Sequence, residues 1–128
     1  MKAKMEEQET DGVAFSMPGG ESCDQAGTRP IDLIHLGKQT MGDRALEQEV
    51  LSLFVHQALQ VRDQIAHAVD GERLRLAHGL KGSARGVGAF AIADCAGEIE
   101  ESPEDESILE RLASLIEEAR DFIAAISR

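Results

Sequence analysis

Apolar residues return every three or four positions along four long stretches of this chain, and nowhere do they alternate for the length of a strand. Leu46, Val50, Leu53, Phe54, Ala58, Val61 and Ile65 form one series, and Ile108, Leu112, Leu115, Ala119, Phe122 and Ile126 the most sustained one. Between them lie Leu76, Leu80, Ala84 and Val87, then Ala89, Ile92, Cys95, Ala96 and Ile99. A helix turns about 100° per residue, so each series lines one face that must be buried against another. The spacing predicts helices over 43–69, through Gly86, over 89–101 and over 103–126. Short connections make them neighbours, so the expected fold is all-α, an antiparallel four-helix bundle. Aromatics are only 3% of the 128 residues, with no Trp or Tyr. The core must therefore be built from Leu, Ile, Val and Ala.

Local punctuation places the helix ends. An additional short N-terminal helix is expected from Pro30–Asp32 to Thr40, with Pro30 in its first turn, Asp32 as cap, and the helix closing one end of the bundle. Gly42 breaks it and Asp43 starts the next. Val87-Gly88 is a tight turn, which makes the flanking helices a hairpin. Ser102-Pro103-Glu104-Asp105 reads as cap, first-turn proline and acidic first turn of the last helix. Residues 1–29 hold few large apolar side chains and many Glu, Asp, Gly and Ser. That composition predicts a disordered acidic tail ahead of a bundle over 30–128.

Polar chemistry concentrates in His78-Gly79-Leu80-Lys81-Gly82-Ser83-Ala84-Arg85-Gly86. On a helix, Leu76, Leu80 and Ala84 share one face and His78 falls opposite, toward solvent. Lys81 and Arg85, at i+3 and i+7, flank it on one side, and Gly79, Gly82 and Gly86 flank it on the other. Each glycine costs roughly 1 kcal/mol against alanine inside a helix. Three together have no folding rationale unless something approaches the backbone closely. An exposed imidazole, adjoining cations and a surface free of side chains would present a nucleophilic nitrogen to a bulky, anionic, protein-borne electrophile.

His78-x-Leu80-Lys81-Gly82-Ser83 followed by Gly88-Ala89 resembles the signature of histidine phosphotransfer (HPt) domains, the phosphocarriers of multistep phosphorelays. Asp70-Gly71-Glu72 stands where such domains begin this helix, and Ile99-Glu100 where the next one ends, so the resemblance covers roughly residues 30–128. It implies that His78 accepts a phosphoryl group from one aspartyl phosphate and donates it to another. The implied partners are response-regulator receiver domains and a hybrid sensor histidine kinase. The receiver would supply the aspartate, the Mg²⁺ and most of the catalysis.

The roles of the neighbours follow from the transfer itself. A transferring phosphoryl group spreads charge over its equatorial oxygens, which Lys81, one turn from His78, is placed to stabilise. Leu74, Gly79, Gly82, Arg85 and Gly86 form the expected docking surface; Arg85 alternatively has an ordinary surface role. Ser83 turns toward the interior, where a local or interhelix hydrogen bond is expected rather than catalysis. Glu100 either orients a ring nitrogen of His78 or is a solvated carboxylate, and the sequence favours the latter.

No P-loop, kinase-type glycine loop or Asp-rich Mg²⁺ pocket is visible, so the expectation is a stoichiometric carrier without an intrinsic cofactor, not an enzyme. Two other readings stay open. One is a binding-only module that docks on a kinase or receiver; the other is the phosphoacceptor of a chemotaxis-type kinase, which ranks lower because the chain stops after the bundle.

The remaining features are bland. His56 and His67 lie on the polar side of their helix, and Asp63/His67 has metal-compatible spacing without a third strong ligand, so no metal is expected. His35 is expected on the surface. Cys95 reads as a small buried thiol and Cys23 as a free thiol in the tail. A net charge of −11 disfavours a nucleic-acid partner. With no signal peptide and no apolar run of membrane length, no membrane partner is expected, and a cytoplasmic monomer is the default.

Overall fold

The computed structural model describes residues 29–127, all five of whose regular elements are helices. The tail reading of 1–29 and the Cys23 thiol fall, but for Arg29, outside the described residues. The helices are α1 (Leu33–Gln39), α2 (Arg44–Ile65), α3 (Asp70–Val87), α4 (Phe90–Glu101) and α5 (Glu106–Ile126). Helices α2 to α5 pack in a ring, each against the next and α5 back against α2, while α1 lies against α3. This is an antiparallel four-helix bundle with an added N-terminal helix.

Carboxylate caps start three of the helices. Asp32 accepts the His35 N–H at 3.0 Å, Asp43 that of Leu46 at 3.1 Å, and Asp105 that of Ser107 at 3.0 Å. Each satisfies an amide that the helix itself leaves without a partner. Pro30 therefore precedes α1 instead of entering its first turn. Ser102 closes α4, its N–H donating to the Glu98 carbonyl at 2.9 Å, and Pro103 lies in the turn before α5.

α2 stops a turn short of Val69, where Arg73 takes up carbonyls at its end. This arginine is only 8% exposed. Its guanidinium donates to the carbonyls of Ile65 at 3.0 Å and Ala66 at 3.3 Å, acceptors at the end of α2. The same group reaches the Pro103 carbonyl at 2.9 Å and the Glu106 carboxylate at 3.1 Å, tying α2, α3 and the start of α5 together.

The turn between α3 and α4 needs its glycine. Gly88 has φ +88°, and Ala89 N–H reaches back to the Ala84 carbonyl at 2.8 Å, a Schellman-type ending. Asp32 N–H donates to the Gly88 carbonyl at 2.9 Å. A Cβ on Gly88 would meet the Asp32 carbonyl oxygen at 2.8 Å. α1 is thus held at the hairpin end of the bundle by a contact only glycine permits.

The core contains Leu80, Ile92, Ile99, Leu112 and Ile116, all essentially without exposure. On α2 the buried seam is Leu51, Phe54, Ala58, Val61 and Ile65, while Leu46 faces out and Leu53 is 66% exposed. On α5 the seam is Ile108, Leu109, Leu112, Ile116, Ala119 and Ile123, with Leu115 and Phe122 at its edge and Ile126 exposed. Both helices are rolled slightly from the expected faces, because apolar residues border the seam on both sides. His35 is also not simply at the surface. Its ring packs edge-on against Phe90, centroids 5.1 Å apart, and its Nε2 is buried. Cys95 is buried, with its thiol 3.5 Å from the Ile108 carbonyl, and burial pushes the thiol pKa up. No helix among the described residues is long and apolar enough to cross a membrane.

Candidate functional site

α3 buries Arg73, Leu76, Ala77, Leu80, Ala84 and Val87, and this inward face turns His78 outward, its side chain 74% exposed. The antiparallel course of α4 returns Glu100 beside it. One Glu100 oxygen, Oε2, lies 2.9 Å from His78 Nδ1, and the other, Oε1, is ion-paired with Lys81 Nζ. The solvated-carboxylate reading of Glu100 is therefore corrected: its side chain bridges two residues of α3. The signal for this lay in the hairpin register, because equal steps outward from Gly88 bring the last turn of α4 alongside His78.

The hydrogen bonds from Lys81 and then from His78 hold the Glu100 carboxyl below the usual carboxylate range. Glu100 is thus ionised near neutral pH and can only accept. In a neutral imidazole the nitrogen facing it must carry the proton, which leaves the lone pair on Nε2, at the free edge of an exposed ring. The geometry yields an oriented nitrogen nucleophile.

Lys81 is not the free surface cation its position suggests. Its side chain is 22% exposed and lies along α4, where its Cδ is 3.8 Å from the point a Cβ on Gly97 would occupy. Gly97 was not anticipated as part of the site, since only the packing of α4 on α3 places it under the lysine.

The other expected residues divide into two groups. Gly79, Gly82 and Gly86 are exposed, and a Cβ at any of them would meet nothing within 4 Å among the described residues. Packing among the described residues does not require these glycines, so they leave an open strip of α3 backbone beside His78. Leu74 is exposed one turn before His78, and Arg85 is exposed near Asp94, whose carboxyl burial raises and Arg85 partly restores. Ser83 is half-buried, and the hydrogen bond expected of its hydroxyl is not formed among the described residues. His56 and His67 are exposed and far along the chain from this cluster. Among the described residues no three His, Cys, Asp or Glu side chains converge as a metal site would need.

A family model described as Hpt domain matches residues 49–122. The chain belongs to the Hpt family. The match runs from α2 into α5 and contains His78, Lys81, Gly82 and Glu100, while α1 precedes it. Comparison with curated proteins and with solved structures gave no match. Hpt domains are phosphocarrier modules that interact with the kinases and receivers of phosphorelays, and they are not enzymes in the ordinary sense.

Proposed function

We propose that this Hpt protein carries a phosphoryl group on Nε2 of His78, taken from the aspartyl phosphate of one receiver domain and passed to the aspartate of another. The observation that supports this is the Nδ1–Glu100 bond at 2.9 Å, which leaves the lone pair on Nε2. In acceptance, that lone pair forms the nitrogen–phosphorus bond as the phosphorus–oxygen bond to aspartate breaks and the carboxylate keeps the electron pair. Nδ1 retains its proton, so the ring becomes cationic. The Glu100 carboxylate stands beside that new charge and stabilises it. Delivery is the same step reversed. The receiver contributes the aspartate, the Mg²⁺ that neutralises charge on the transferring group, and most of the rate acceleration; a hybrid sensor kinase is the upstream source.

Mixing the chain with phosphorylated receiver domains tests this. Acid-labile phosphate should appear on the chain, with the ³¹P resonance of the Nε2 isomer. Binding of a receiver without any phosphate transfer would overturn the carrier reading and leave a binding-only module. Phosphate on Nδ1 would overturn the role given to Glu100.

The open glycine strip is the surface a receiver would cover. Gly82→Gln places a long side chain beside the imidazole, one turn on. Receiver affinity should fall about tenfold or more, about 1.4 kcal/mol. The fold should hold or gain up to about 1 kcal/mol from helix propensity. Titration with a receiver and a thermal melt measure the two together, and unchanged affinity would place the docking surface elsewhere.

A further inference from the structure

Glu100 ties the nucleophile and the nearest cation to a single carboxylate, and this arrangement has to change when the imidazole acquires a phosphoryl group. We propose that Lys81 exchanges partners with the phosphorylation state: it pairs with Glu100 while His78 is free and moves to the phosphoryl oxygens once Nε2 carries them. The proposal rests on His78 being the phosphoacceptor.

Before transfer the cluster is balanced. With the imidazole in the neutral form that can attack, the Lys81 ammonium and the Glu100 carboxylate offset each other, Oε1 on the ammonium and Oε2 facing Nδ1. Transfer adds a phosphoryl group carrying close to two negative charges and makes the ring itself cationic. The Nδ1–H bond to Glu100 then joins opposite full charges and strengthens, so Glu100 loses its need for the lysine. A dianionic group attracts an ammonium about twice as strongly as a carboxylate does at equal distance.

The lysine has the freedom to make this move. It is one helical turn from His78, and its ammonium sits at the end of a flexible four-carbon stem that passes beside Gly97. Arg85, another exposed cation of α3, stands a turn beyond Lys81 beside Asp94. After the exchange each positive group still faces a negative one: the ring faces Glu100, and Lys81 faces the phosphoryl oxygens. The charge along the groove between α3 and α4 differs in the two states. A receiver that delivers phosphate therefore meets a lysine folded against α4, and one that removes it meets a lysine beside the phosphorus.

The test follows the Lys81 ammonium directly by ¹⁵N NMR in the full chain at neutral pH, its resonance assigned by its loss in Lys81→Ala. Phosphoramidate serves as donor; its phosphorus–nitrogen bond breaks, releasing ammonia, as the bond to Nε2 forms. In the free chain, Glu100→Gln should shift the Lys81 Nζ resonance. In the phosphorylated chain the resonance should have moved already, and Glu100→Gln should no longer shift it. Equal sensitivity to Glu100→Gln in both states would show that Lys81 stays on Glu100 and overturn the exchange, as would insensitivity in both. A phosphohistidine ³¹P signal that is absent, or that persists in His78→Gln, would instead remove the phosphoacceptor reading and the exchange with it.

Discussion

His78→Gln should take up no acid-labile phosphate from a phosphorylated receiver, a fall in transfer of at least about a thousandfold, or ~4 kcal/mol in the barrier. The reason is chemical. A glutamine amide can still donate toward Glu100 but has no lone pair able to attack phosphorus. The fold should not notice. The ring is exposed and its polar contact among the described residues is the bond to Glu100, so stability should stay within about 0.5 kcal/mol of the parent chain. Phosphate incorporation and a thermal melt on the same preparation test both halves. Incorporation that survives in a folded variant would move the acceptor to another histidine, with the exposed His56 and His67 the first to examine.

Arg73→Met should destabilise the bundle by about 3–5 kcal/mol, the range for stranding the partners of a buried charge, here one that makes four hydrogen bonds. Methionine replaces much of the stem but none of the donors. The carbonyls of Ile65, Ala66 and Pro103 would lose their partner at the junction of three elements. The ion pair itself contributes the smaller share, because Glu106 is largely exposed and water screens it. The melting temperature should fall by well over 10 °C, at about 4–8 °C per kcal/mol for a domain of this size. Added salt should change that loss little. Arg73→Lys should restore only part of it, since one ammonium cannot span acceptors that a planar fork reaches together. A loss below about 1 kcal/mol for Arg73→Met would mean that water replaces the guanidinium.

The site was partly readable without the fold. His78, Lys81 and the three glycines lie on one helix, so their mutual placement follows from helical geometry alone. Glu100 could not be placed that way. Its contacts depend on the register of α4 against α3, set by the αL turn at Gly88 and by the packing of Ala93, Ala96 and Ile99. The same limit hid Gly97 and made Lys81 look free. Arg73 lies on α3, but its acceptors belong to α2 and to the turn before α5, which no spacing within α3 reveals.

What the sequence by itself determined is what is local: the number and type of helices, most caps, the tight turn, and the outward aim of His78. Each depends on interactions within a few residues, which side-chain periodicity and capping chemistry report directly. Only the tertiary structure decided the roll of α2 and α5 about their axes, the early end of α2, the start of α5 at Asp105 instead of Ser102, and the bridging role of Glu100. Where apolar residues border a seam on both sides, as Leu53 and Leu115 do, the local pattern leaves two faces close in energy. The choice falls to whichever packs with fewer voids against the neighbouring helices and satisfies more buried polar groups.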